Sequence, residues 1–335
     1  MGTLLVANTG RHLPHFGGGL INTTGKPLRH RNASRSQLIN SATIAANMEG
    51  TFGPNSERRM LIADGLRRPE GGTCRLMGVI NATPDSFHSD SRTSTVEEAI
   101  KIGLAMWDAG ATWLDIGGES TRPGAELVAI EEEISRVVPI IKALRQARPI
   151  GLISVDTRRP AVARAAIQAG ADLVNDVSGL RDPAMIDVVL EAKCGVCIMH
   201  MQGTPSSMQT QPEYSDCTFE VSTQLLETAR ALIAAGHPKN LIALDPGIGF
   251  GKNLNHNIEL LLHPDAFRGV EGFALLWGVS RKSMIGSITG KKDPKDRLAG
   301  TLGVAAVAHY EGVDLLRVHD VDEHQDLLLI LDAIA

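Results

Sequence analysis

The amino-acid sequence predicts an α/β fold: a closed (β/α)8 TIM barrel with an N-terminal extension. Three observations carry that expectation. A short apolar run that stops abruptly at polar residues occurs eight times between Leu76 and His319. A stretch long enough for a helix separates successive runs, and four of those stretches end on glycine just before the next run. Such barrels take about 250 residues and carry their chemistry at the carboxyl ends of the strands. The chain therefore divides into an extension, 1–72, largely irregular or disordered, and a barrel domain, 73–335.

Within the extension, Gly17-Gly18-Gly19, Gly25-Lys26-Pro27, Gly53-Pro54-Asn55 and Arg67-Arg68-Pro69 read as loops, with a short strand expected near Met60–Ile62. The strand runs follow in order: LMGVIN (76–81), TWLDIGGE (112–119), LISVDT (152–157), LVNDV (173–177), VCIMH (196–200), LIALDP (241–246), ALLWGVSRK (274–282) and LLRVHD (315–320). Between the first two, Thr95-Val-Glu-Glu98 reads as a capping box opening a helix. Asp182-Pro183 reads as an N-cap followed by proline at the first helical position, where no N–H is needed. DAGATWLD, QAGADLVND, AAGHPKNLIALD and YEGVDLLRVHD each place glycine where a left-handed residue ends a helix. An open doubly wound sheet shares the alternation, but the recurrence at one spacing favours closure.

With 43% hydrophobic and 21% charged residues, the composition is that of an ordinary soluble globular protein, expected in the cytoplasm. No apolar stretch reaches membrane-spanning length. The net charge of −5 combines a basic, acid-free beginning (Arg11, Lys26, Arg29, Arg31, Arg35) with a more acidic body. That beginning is compatible with an organelle transit peptide or with a flexible tail. Nucleic acid is a poor partner for so acidic a body, so an anionic small substrate must rely on a few local cations. Cys194 and Cys197 form a CxxC, but three residues apart in a strand they face opposite sides. They read, with Cys74 and Cys217, as inert buried thiols.

The strand ends collect Asn81, Asp115, Asp156, Asn175, His200, Asp245, Lys282, Arg317 and His319. A carboxylate at a barrel mouth is partly desolvated and needs N–H donors from a ligand. Asp156, Asn175 and Asp245 together suit a heterocycle with an amino-amide edge, such as a pterin or guanine; the alternative is that they cap helices and loops. Arg122, Arg281, Lys282, Arg317 and His319 suit a phosphate group, since the seventh and eighth strand ends are the usual phosphate corner. Lys282 also reads as a Schiff-base amine with its pKa lowered by Arg281. Gly247 to Lys252 lacks the spacing of a nucleotide loop, and His200 has no companion at zinc-ligand spacing.

Together these segments resemble the dihydropteroate synthase family, a pterin-binding family, over Leu76–Ala335. The matching segments are NATPDSF (81–87), DIGGESTRPG (115–124), SVDT (154–157), NDVSG (175–179), MHMQGTP (199–205), LDPGIGFGKN (244–253), SRKSMIG (280–286) and RVHD (317–320). The resemblance implies a transferase of folate biosynthesis. It would condense 6-hydroxymethyl-7,8-dihydropterin diphosphate with p-aminobenzoate, and would be a homodimer and a sulfonamide target. It implies that Asp156, Asn175, Met199, Asp245, Phe250 and Lys282 hold the pterin, and that Asn81 helps bind Mg²⁺. Thr121, Arg122, Arg317 and His319 would hold the diphosphate, and Phe87, Thr121, Pro123 and Ser280 the p-aminobenzoate. Asp156, Lys282, Arg317 and His319 are the implied catalytic residues.

One segment departs from the family. Where its members usually continue Ser-Asp-Gly-Gly after Phe87, this chain reads His88-Ser89-Asp90-Ser91-Arg92, a stiffer loop that bears on the arylamine site. Two rivals share the pterin carboxylates: a pterin-dependent methyltransferase has no use for SRKS and RVHD, and a non-catalytic paralogue would not retain Asn81, Arg317 and His319.

Overall fold

Eight parallel strands pair in chain order, and the last returns to the first: β1 Arg75–Asn81, β2 Trp113–Gly117, β3 Leu152–Asp156, β4 Leu173–Asp176, β5 Gly195–Met199, β6 Ile242–Asp245, β7 Ala274–Trp277 and β8 Leu315–Val318. The ring closes in register, with Arg75 opposite Leu315 and Met77 opposite Arg317. Closure removes every sheet edge and rules out the open sheet. This computed structural model describes residues 52–82, 92–120, 127–205 and 207–334. Phe87, Thr121, Arg122 and Pro123, and the loop at His88–Ser91, lie outside the described residues.

The helices are α1 Ser56–Gly65, α2 Arg92–Asp108, α3 Ile130–Ala147, α4 Pro160–Ala169, α5 Pro183–Ala192, α6 Cys217–Ala234, α7 Leu254–Leu262, α8 Ser283–Thr289, α9 Leu298–Tyr310 and α10 Val321–Ile334. Gly110, Gly170, Gly236 and Gly312, the four predicted stops, all take positive φ. A side chain there would oppose the turn that sends each helix into its strand. Asp182 caps α5, accepting from the Ala184 N–H at 2.9 Å, with Pro183 at the first helical position. The capping box fails: α2 already runs from Arg92, so Thr95 lies inside the helix and not ahead of it.

Alternation along each strand sorts the core into two regions. Leu114, Ile116, Ile153, Val155, Val174, Val196, Ile198, Leu244, Leu275 and Leu316 pack outward in the large cluster shared with the helices. Met77, Trp113, Leu152, Leu173, Cys197, Ala243, Leu276 and Leu315 form a separate cluster inside the barrel. Moving two residues on from these inner positions changes the chemistry. Trp113 gives way to Asp115, Leu152 to Ser154 and then Asp156, Leu173 to Asn175, and Leu315 to Arg317. The barrel is dry at its base and polar at its carboxyl mouth.

The base is sealed by α1, not by the strand expected at Met60–Ile62. Ile62 and Leu66, one helical turn apart, are fully buried in the inner cluster. Asn55 caps the helix by accepting from the Arg58 N–H at 2.8 Å. Arg58 is itself buried and holds both Asp172 oxygens, each at 2.6 Å, as well as the carbonyls of Pro149 and Gly151. The four cysteines are free and buried, with Cys197 inside the barrel and Cys194 outside. Burial pushes the Cys194 thiol up to about 12, so it is no redox centre.

Replacing Arg58 with Met should destabilise the protein by about 3 kcal/mol, the lower end for a broken buried ion pair, because Arg145 still holds Asp172 at 2.6 Å. Urea unfolding measures it; an unchanged midpoint would show that α1 is not fastened through this pair.

Candidate active site

Asp115 sits at the centre of the mouth and is fully buried. One carboxylate oxygen accepts from the Ser154 hydroxyl at 2.5 Å. The other accepts from the Asn175 amide at 3.1 Å and from Arg317 Nε at 2.6 Å. The second arm of Arg317, Nη2, reaches Asp156 at 2.7 Å. The register explains the meeting. Asp115 lies opposite Ser154 and Asp156 opposite Asn175, while closure of β8 on β1 brings Arg317 to the same rim.

Across the mouth, Asp245 and Lys282 complete the set. A side-chain carbon built on Gly278 would lie 3.7 Å from Asp245 Oδ2, 3.9 Å from Lys282 Nζ and 4.0 Å from Arg317 Cδ. The three charged groups thus surround one glycine that leaves room between them. Asp245 Oδ1 accepts from the Gly247 N–H at 2.7 Å, so one oxygen braces its loop while the other faces the mouth. Lys282 donates to the Ile248 carbonyl and stands 4.4 Å over the Phe250 ring. Phe250 packs with Met199, Val177, Met201 and Met208 as an apolar wall. Asn175, Met199, Asp156, Asp245, Phe250, Lys282 and Arg317 therefore line one cavity mouth.

Beside it, Ser280 Oγ lies 3.0 Å from His319 Nδ1, joining the ends of β7 and β8. Asn81, half-buried at the end of β1, pairs in register with Gly117 on β2, and β1 is flanked on its other side by β8. His200 is buried just past β5, with Lys252 as its neighbour. Asp156 does not cap the following helix: the residue at the N-cap of α4 is Arg159, without a side-chain bond.

The expectation for Arg281 is overturned. Its guanidinium is taken up by an ion pair with Asp320, with Nε to Oδ2 at 2.9 Å. A left-handed backbone, φ 58°, at Arg281 separates its direction from that of Lys282. The neighbouring cation that lowers the Lys282 pKa is Arg317, and Arg281 is neutralised by Asp320.

Burial sets the ionisation of the site. It pushes the Asp156 carboxyl up to about 7, against the pull of Arg317 and with repulsion from Asp115. Asp245 is raised by burial and drawn back by Lys282. Lys282 is pushed down to about 8 by burial, with Asp245 opposing and Arg317 reinforcing the shift. Burial alone would lower the Arg317 pKa, but Asp115 and Asp156 hold it above its ordinary value. The mouth can thus offer carboxylate acceptors to a ligand's N–H groups beside cations for an anionic group.

Sequence reasoning noted Asp115 but gave it no role, and discounted Lys252. An aspartate at an inward position of a strand was the available signal for the first. A lysine closing the alternating Gly-Ile-Gly-Phe-Gly segment beyond a strand end was the signal for the second.

The family described as pterin binding enzyme matches residues 77–319. The dihydropteroate synthase of Escherichia coli (strain K12) is 42% identical over 258 residues, covering 77% of this chain and 90% of that protein. The structure of Xanthomonas albilineans dihydropteroate synthase with 4-aminobenzoic acid superposes with a TM-score of 0.73 at 43% identity, covering 80% of this chain and 94% of that one. The complex of that species' enzyme with 7,8-dihydropteroate gives a TM-score of 0.70 at 40% identity, with the same coverage.

In the ligand-free protein the Asp156 carboxyl should titrate near 7 by carbon-13 NMR. Asp115→Asn removes a negative neighbour, so the midpoint should fall. An unchanged or higher midpoint would contradict the arrangement.

Proposed function

The chain belongs to the dihydropteroate synthase family of pterin-binding enzymes, and from that premise we propose how its barrel mouth performs the family's reaction. The protein is a transferase that joins 6-hydroxymethyl-7,8-dihydropterin diphosphate to p-aminobenzoate, releasing pyrophosphate and 7,8-dihydropteroate. The observation that carries this reading is the convergence of Asp156, Asn175 and Asp245 with Lys282 and Arg317 on one rim.

Asp245, Asn175 and Asp156 take the amino-amide edge of the pterin, and the Phe250 and Met199 wall takes its ring faces. Lys282 is a donor to the ring system. A desolvated carboxylate gains most from fixed N–H donors, which is why a dry mouth selects a ring that supplies them. The diphosphate end lies toward Arg317, His319 and Ser280, with Thr121 and Arg122 assigned to it by family resemblance. Phe87 and Pro123, with Ser280, are assigned to the arylamine in the same way.

The methylene–oxygen bond breaks with its electron pair leaving on pyrophosphate. Arg317 and His319 stabilise that departing charge. Asp156 lies close enough to offset positive charge spreading over the pterin. The arylamine nitrogen then forms the new bond from a position already set, so no strong base is required. The proton shed by the new secondary amine is the remaining acid–base event.

Among the described residues no cluster of three or more His, Cys, Asp or Glu could hold a metal by itself. The donor chemistry of Asn81, one amide oxygen at the rim, fits Mg²⁺ as a partner ligand beside substrate phosphate oxygens. When bound there, Mg²⁺ neutralises charge on the leaving diphosphate.

A homodimer is supported by exposed apolar residues on two adjacent helices: Val307 and Tyr310 on α9, and Leu329, Ile330 and Ile334 on α10. No helix of the described residues is long and apolar enough to cross a membrane.

The test is a pyrophosphate-release assay with the dihydropterin diphosphate, with and without p-aminobenzoate and Mg²⁺. Sustained release, matched by formation of 7,8-dihydropteroate, should require all three. Asp245→Ala should weaken pterin binding by about 2–5 kcal/mol, because it strands donors buried against it. Wild-type pterin affinity in that variant would refute the assignment.

A further inference from the structure

Lys252 closes the glycine-rich segment 247–252, whose spacing does not suit a phosphate loop, and the mechanism above leaves it unused. The residue is only 2% exposed. Three acceptors surround its Nζ: the Phe250 carbonyl at 2.9 Å, His200 Nδ1 at 3.0 Å and the His200 carbonyl at 3.4 Å. An ammonium has three hydrogens and no acceptor, so it matches that set one for one. His200 completes the match. Burial and the adjacent Lys252 push its pKa down to about 3, so the ring is neutral and can accept through Nδ1.

The two segments that Lys252 joins carry the pterin-binding groups. His200 directly follows Met199, and its N–H donates to the Asp245 carbonyl at 3.0 Å. Gly247 passes so near that a side-chain carbon on it would lie 1.9 Å from the His200 carbonyl oxygen. The Tyr214 hydroxyl donates to the Gly251 carbonyl at 2.8 Å, holding the far side of the loop. Phe250, whose carbonyl Lys252 binds, presents its ring to Lys282 at 4.4 Å. A role in stability alone would not call for an ammonium, since an apolar side chain of similar length fills such a space without a desolvation penalty.

We propose that Lys252 is a positioning residue for pterin recognition. By tying the exit of β5 to the loop after β6, its ammonium fixes Met199, Asp245 and Phe250 relative to one another without touching substrate. This rests on the pterin-binding reading above, and the test separates the two. Burial pushes Lys252 down to about 7, against the attraction of Cys217 and Asp245, so binding is best measured at about pH 6, where the ammonium is intact.

The probes are 6-hydroxymethylpterin, followed by calorimetry, and both substrates, followed by steady-state kinetics, on the full chain. Lys252→Met should weaken pterin binding and raise the pterin KM by roughly ten- to hundred-fold, with the arylamine KM little changed. Lys252→Gln, which keeps two N–H donors, should recover part of the loss, and it carries the test if the Met variant fails to fold. Wild-type pterin affinity in either variant would overturn the proposal. So would an equal loss for both substrates that tracks a fall in Tm. If the wild-type protein does not bind the pterin, the pterin-binding reading falls, and the assignment of Lys252 falls with it.

Discussion

One ionic bridge organises the mouth of this barrel: Arg317 held between Asp115 and Asp156. Its two carboxylates come from β2 and β3 and its guanidinium from β8, 202 residues along the chain from Asp115. The bridge exists only because β8 pairs with β1 and completes the ring. Each partner would be costly alone in so dry a place; together they offset one another and leave hydrogen-bonding capacity aimed at the opening. Asp115 also anchors Ser154 and Asn175, so one buried carboxylate aligns its neighbours at the mouth.

The same strands serve stability and chemistry at different heights. Inward residues near the base are apolar and sealed by Ile62 of α1 and Leu66 at its C-cap. Two residues further on they are acids, amides and cations. The division lets the folding free energy come from one end while the other carries desolvated charge, which by itself is destabilising. The desolvation that raises Asp156 and lowers Lys282 also sharpens recognition, because unpaired buried groups penalise any ligand that lacks their complement.

Much of this is legible in the amino-acid sequence. The eight runs and the four terminal glycines encode local geometry, period two in strands and left-handed turns at helix ends, and local geometry is what a sequence states most directly. Asp156, Asn175 and Asp245 were readable because polar residues that interrupt apolar runs stand out. Other features depend on direction or distance. Arg281 adjoins Lys282 in sequence, yet a single left-handed residue sends the two side chains to different partners. Asp115 gains its meaning from a partner supplied by barrel closure. Helix α1 was misread because Met60-Leu61-Ile62 looks like a strand, whereas its buried pair is Ile62 and Leu66, spaced for a helix. Lys252 was set aside with a motif it only imitates, and its real partners lie on a neighbouring strand end.

The measurement that bears most directly on this account is a crystal structure of the protein with a dihydropterin diphosphate analogue. The account predicts the amino-amide edge of the ring hydrogen-bonded to Asp245 and Asn175, Phe250 and Met199 against its faces, and the diphosphate toward Arg317 and His319. A ring bound away from this mouth, or one whose edge meets none of Asp156, Asn175 and Asp245, would contradict it.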